Sequence, residues 1–283
     1  MPLRFSVPTP LEYFATLVED DDGFPLLEAA ASIAQDEYPG LDVQQLLGDV
    51  DRLLGRLKRR LPPDTAALQR LRLLNHFLYA ELGFGGNANN YYDPENSYLN
   101  DVLLTRRGIP ISLGVLWMEL AQGIGLHVRG VAFPGHFLVK ALLPKGQVLI
   151  DPLTGKSLSR EELAERLVPF QPDAGPHGLE DVPLGLYLQA APARDILARM
   201  LRNLKEIHRT HQDWLRLIAV QNRLIVLLPE VWSEWRDRGL AHAECGNAAN
   251  AVADLETYLA HAPGERDADA IAEQVSALRS ASG

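Results

Sequence analysis

Arg106-Arg107-Gly108-Ile109-Pro110-Ile111-Ser112-Leu113, followed by Gly135-His136-Phe137 and then Leu149-Ile150-Asp151-Pro152, is the part of this chain that decides the fold. A Gly-x-Pro step starts a helix, since proline at the first helical position fixes φ and loses no needed N–H. An apolar run follows to about Gly123. Short apolar runs at 128–133 and 137–142 predict strands that turn at Pro134-Gly135. A third strand, 148–150, follows the turn Pro144-Lys145-Gly146-Gln147. A buried helix against an antiparallel sheet results, with His136 and Asp151 each expected on a strand.

Outward from this core the chain is helical. Leu46, Leu47, Val50, Leu53, Leu54 and Leu57 recur every three or four residues and share one face. Asp20-Asp21-Asp22-Gly23 and Tyr38-Pro39-Gly40 divide residues 11–61 into three helices. Asp64 is placed to cap a fourth, running to Leu82. Residues 83–94 (GFGGNANNYYDP) form a polar loop, and 95–107 a helix closed by Gly108. Residues 169–183 (PFQPDAGPHGLEDVP) are rich in proline and charge and mark a linker. Beyond it, Pro229 and Pro263 stand 34 residues apart, each ending a helical run. Trp235, Gly239, Ala251, Leu255 and Pro263 match tetratricopeptide spacing, with Arg238 and His242 where that motif carries a leucine and an aromatic. The preceding unit, 201–229, is more degenerate: Lys205 and Leu217 take its small-residue positions. The expected divisions are an N-terminal helical segment packed on the core (1–62), the core (63–168), a linker (169–184) and a helical tail (185–283).

Composition narrows the partners. With 283 residues, 47% of them hydrophobic, the chain can bury a sizeable core. A net charge of −10 repels nucleic acid and anionic membranes, so neither is expected as a partner. No apolar run approaches a membrane span, and no signal peptide is apparent. A single cysteine, Cys245, precludes an internal disulfide and fits a cytoplasmic location.

The residues from Tyr91-Tyr92-Asp93-Pro94-Glu95-Asn96-Ser97-Tyr98-Leu99-Asn100 through Arg107–Leu113, Leu126, Gly130, Gly135–Val139 and Asp151-Pro152 resemble the transglutaminase-like superfamily. They resemble more closely its SirB-type bacterial branch, in which that core is joined to a tetratricopeptide tail. The resemblance implies an α+β, papain-related core with a central helix and antiparallel sheet, flanked by N-terminal helices and followed by an all-α tail. It also implies a Cys–His–Asp triad. His136 and Asp151 match its last two members, and counting back from Gly125 puts Pro110 on the thiol position.

No confident catalytic set therefore remains. Ser112 is a poor substitute nucleophile, because a helix turns 100° per residue and position 112 points about 200° away from position 110. The leading expectation is a non-catalytic cytoplasmic binding, scaffold or regulatory protein, with a protein or peptide partner on the helical tail. Its ligand-binding residues are taken as Tyr92, Asp93, Asn96, Asn100, His136 and Asp151. The loop residues Asp93 and Asn96 equally suit capping of their own backbone. The alternative is an amide hydrolase or acyltransferase using His136 and Asp151 with a non-cysteine nucleophile. No cofactor or metal is expected. His208-x-x-His211 has helical metal spacing but lacks further ligands nearby, and His136, Asp151 and Asp93 are not spaced to demand a metal. The run Arg56-Leu57-Lys58-Arg59-Arg60 has the position of a solvated, dipole-favoured helix end.

Overall fold

The structure is a computed structural model describing residues 7–87, 89–90, 92–170 and 184–281. In order along the chain come α1 (Pro10–Leu17), α2 (Leu26–Ser32), α3 (Val43–Lys58) and α4 (Ala67–Asn75). The two-residue strand β1 (Gly85–Gly86), α5 (Leu99–Thr105), β2 (Arg107–Gly108) and α6 (Pro110–Gly123) follow. Then come β3 (His127–Val131), β4 (Leu138–Leu143), β5 (Gly146–Ile150), α7 (Arg160–Leu167) and α8 (Leu184–Tyr187). Five longer helices close the chain: α9 (Ala193–Thr210), α10 (Trp214–Leu227), α11 (Trp232–Glu244), α12 (Ala248–His261) and α13 (Ala268–Ala281).

Packing groups these elements into two compact units. One comprises residues 26–31 and 42–196, the other residues 7–25, 32–41 and 197–281 among those described. Within the expected N-terminal piece, residues 26–31 and 42–62 fall in the first unit and residues 7–25 and 32–41 in the second. The expected linker falls mostly on 171–183, outside the described residues.

In the first unit α6 is buried nearly all round, with Trp117 and Leu120 fully inaccessible, as a central helix must be. Its start at Pro110 and end at Gly123 are those expected. The antiparallel sheet runs β3-β4-β5, with Val139 opposite both Gly130 and Ile150. Val131, Phe133, Leu138 and Leu149 pack with Leu163 and Leu167 of α7. Gly114 lets α6 approach the sheet: a Cβ there would lie 2.6 Å from the Phe137 ring.

Several local expectations are corrected. Asp64 does not cap the fourth helix; it sits at φ 60°, a turn conformation aspartate tolerates, and Ala66 precedes α4. After Asn75 the helix widens into a π-type turn over His76–Glu81. The helix expected over 95–107 is shorter, because Pro94–Asn96 form a separate 3₁₀ turn and Arg106 leaves the α region at φ 62°. His136 and Asp151 lie just beyond strand ends rather than within strands.

In the second unit α10, α11, α12 and α13 pack in succession, as stacked helical hairpins do. Gly239 admits close packing of α11 on α12, since a Cβ would lie 2.8 Å from Leu255. Arg238 replaces the motif's apolar contact with a bidentate pair to Asp254, both distances 2.7 Å. The N-terminal stretch is tied into this unit by Arg223, fully buried, which bonds both oxygens of Asp36 and stacks on Phe14. Removing one partner of so buried a pair is costly.

Gly114→Ala forces the Phe137 ring out of place. Urea denaturation is expected to register a loss of about 1–3 kcal/mol, an overpacking penalty, with a changed environment at the neighbouring His136.

Candidate functional site

The register of β4 against β5 brings the turn before β4 and the residue after β5 to one end of the sheet. His136 occupies that turn, its backbone N–H donating to Phe133 O at 3.0 Å. Gly135 before it has φ 64°, and the Phe170 ring lies where a Cβ would be, 2.4 Å away. A glycine is required there on both counts. His136 Nε2 lies 3.0 Å from Asp151 Oδ1. With the aspartate ionised, Nε2–H is the donor, and in a neutral ring Nδ1 then carries the lone pair.

Asp151 is oriented from every side. Oδ1 also accepts from the Leu153 N–H at 3.0 Å, and Oδ2 accepts from Arg166 Nη2 at 3.0 Å. Its own peptide N–H donates to Lys156 O, and its carbonyl accepts from Thr154 and Gly155. The turn that follows is fixed from the α4 side. Tyr79 Oη donates to Pro152 O and Asn75 Nδ2 to Gly155 O, both at 2.8 Å. Asn75 Oδ1 in turn accepts from Trp117 Nε1 of α6. Gly155, at φ 70°, faces Tyr79 so closely that a Cβ would lie 2.3 Å from its ring.

Electrostatics follow from this cage. Burial alone would raise the Asp151 pKa; the hydrogen bond and charge of His136, the Leu153 amide and Arg166 outweigh it and bring it to about 2. Burial, with the Asp151 charge, pushes the Tyr79 phenol upward, so it remains a donor at neutral pH.

At the start of α6, Pro110 is buried at the first helical position. Ser112 is fully buried; its Oγ accepts from the Ile109 N–H at 3.1 Å and donates to Asn96 O at 2.7 Å. The hydroxyl is thus committed to the backbone of Asn96 and Ile109, ahead of the helix. Gly108 makes room for it, since a Cβ would lie 2.8 Å from that Oγ.

The loop residues divide. Asn96 is buried; its Nδ2 donates to Asn90 O and its Oδ1 accepts from Asn87 Nδ2. Asp93 accepts from the Glu95 N–H and from Asn90 Nδ2. Both side chains thus serve the loop itself. Tyr92 is 74% exposed, and the Asn100 Oδ1 is buried without a hydrogen-bond partner among the described residues. Tyr91 lies outside the described residues. The structure joins His136 to Asp151, and Asn96 to Ser112 and Ile109, while Asp93 bonds to Asn90 and Glu95 within the loop.

Arg166, Tyr79 and Asn75 were not anticipated. Their helical stretches carry no motif, and only the three-dimensional turn after Asp151 reveals them. Among the described residues no group of three or more His, Cys, Asp and Glu is arranged to hold a metal, and His208 is buried in the helical unit. No helix among them is long and apolar enough to cross a membrane.

Comparison with known proteins agrees with this architecture. A family model described as the transglutaminase-like superfamily matches residues 44–202, and a tetratricopeptide repeat model matches 204–276. A UPF0162 protein of Xylella fastidiosa is 37% identical over 253 residues, covering 89% of each chain. UPF0162 proteins of Pseudomonas aeruginosa and Vibrio cholerae are 31% and 26% identical, over 72% and 92% of this chain and 72% and 94% of theirs. Among solved structures, a crystal structure of menin that reveals the binding site for Mixed Lineage Leukemia (MLL) protein matches at a TM-score of 0.40 and 11% identity. It covers 90% of this chain and 71% of that one, a likeness too low to define a shared fold.

The lowered Asp151 pKa has a definite sign in stability. The carboxylate contributes while ionised, fully above the unfolded value of 3.8, and that contribution is lost as pH falls toward about 2. Urea denaturation of wild type and Asp151→Asn across this range is expected to show a gap of about 2 kcal/mol near neutrality that closes on acidification. A gap independent of pH contradicts the assignment. Ser112→Ala is expected to cost about 1–3 kcal/mol by the same measurement, since it leaves buried backbone groups without that partner.

Proposed function

Because the chain belongs to the transglutaminase-like superfamily, we propose that it is a binding or scaffold protein whose inherited cleft no longer performs thiol chemistry. The observation that carries this reading is Pro110 at the helix start where the nucleophile would stand. A thiol at that position would have its thiolate favoured by the helix dipole and by a histidine base. Proline keeps the helix start and offers no nucleophile. Ser112, two residues on, has its hydroxyl bonded to the backbone of Asn96 and Ile109 rather than turned to an imidazole.

On this reading the His136–Asp151 pair is a recognition element. Nδ1 of a neutral imidazole accepts a hydrogen bond from an amide or hydroxyl of a peptide or small ligand. The tetratricopeptide tail fits protein–protein interaction, and it presents helical surface to a partner. The exposed, single Cys245 fits a reducing cytoplasm. The intact His–Asp pair keeps a second reading open to test, in which the same pair activates a water or an external acceptor for amide hydrolysis or acyl transfer.

Two outcomes separate these readings. Purified wild-type protein is expected to hydrolyse or transamidate no glutamine or peptide amide above a His136→Ala control. Turnover that disappears in His136→Ala overturns the non-catalytic reading. Pro110→Cys is expected to be alkylated about tenfold faster than Cys245 near neutral pH, and His136→Ala in that background removes the enhancement. An unreactive thiol in a folded Pro110→Cys protein contradicts the placement of the nucleophile position.

A further inference from the structure

The basic run at the end of α3 is more than a solvated helix end. The Arg56 and Arg60 guanidinium groups both lie over the Phe77 ring, 5.5 and 5.0 Å from its centroid. Arg106, from the far end of α5, lies 4.7 Å over Phe84, whose backbone N–H donates to Leu78 O next to Phe77. Cation–π contact holds each planar group in place while leaving its N–H edges available.

The charge of this cluster is not balanced. Glu81 pairs with Arg60, lies 3.5 Å from His76, and is held below the usual carboxylate range chiefly by Arg60, with smaller help from His76 and Arg56. No carboxylate partner is recorded for Arg56 or Arg106 among the described residues. Burial, and then the nearby Arg56 charge, press the Arg106 pKa downward, so the two cations sense each other. Three guanidinium groups against one carboxylate leave about two positive charges together, on a chain whose net charge is −10.

Arg106 carries a second sign of function. It has φ 62°, a conformation that costs a non-glycine residue about 1 kcal/mol. The turn closing α5 would be served better by glycine. Strain of this kind persists where the side chain is needed. The helix dipole accounts for cations at the end of α3; it does not account for an arginine brought there from α5.

We propose that Arg56, Arg60 and Arg106 form a binding site for a phosphoryl group, separate from the His136–Asp151 cleft. A phosphate group carries about −1.5 to −2 charges near neutral pH and matches the fork geometry of arginine. It supplies the counter-charge the cluster lacks.

The test uses the full chain and inorganic phosphate, titrated at ionic strength balanced with chloride, with binding read by calorimetry and by thermal shift. Saturable binding is expected, with acetate giving a much smaller effect. Arg56→Gln and Arg106→Gly are each expected to weaken it about tenfold, the scale of one lost charge-assisted hydrogen bond. Arg106→Gly suits the backbone at that position, so it is expected to fold at least as stably as wild type. Glu81→Gln removes the competing carboxylate and is expected to tighten binding. The proposal is overturned if phosphate behaves as chloride does, if acetate equals phosphate, or if folded Arg56→Gln and Arg106→Gly proteins bind as wild type.

Discussion

The candidate site depends on the orientation of one carboxylate. Asp151 follows directly on β5, and four donors fix its two oxygens and the peptide after it: His136, the Leu153 amide, Arg166 and, through the Pro152 carbonyl, Tyr79. Remove that geometry and His136 has no partner to set its tautomer. The cost of burying the charge is offset by hydrogen bonds to the ionised form, which is why its pKa lies low rather than high. A cage of this kind rigidifies a site whether it serves chemistry or recognition.

The central helix is the second reference point. Its first turn joins three parts of the chain: Ser112 binds the backbone of Asn96, Gly108 admits the Ser112 hydroxyl, and Gly114 receives Phe137 beside His136. Trp117 reaches Asn75, which holds the Gly155 end of the Asp151 turn. Helix start, polar loop and His–Asp pair are thereby coupled through packing and hydrogen bonds. Pro110 fits at the first helical position without disturbing any of them.

Much of the core was legible in the chain. Proline at the first helical position, glycine at the end and a mostly apolar run define α6, and turn signals on either side define β4 and β5. The Ser112 hydroxyl is bonded to the backbone of Ile109 and Asn96. What the chain alone did not disclose arises from distance in sequence. Arg166 lies on an amphipathic helix, beside the buried Leu163 and Leu167, with no motif to mark it. Asn75 and Tyr79 are 80 and 73 residues from the groups they hold. The packing of residues 7–25 and 32–41 with α9–α13 rests on Arg223 and Asp36, a pair 187 residues apart. Asp64 and Arg106 take positive φ, a conformation that carries little local signal at a non-glycine residue.

The most direct measurement is the tautomer of the His136 ring, obtained from long-range proton–nitrogen NMR correlations at neutral pH. The account predicts a proton on Nε2, hydrogen-bonded to Asp151, and an unprotonated Nδ1 in the neutral ring, with that preference lost in Asp151→Asn. A neutral ring protonated on Nδ1, or a preference unchanged by Asp151→Asn, would contradict it.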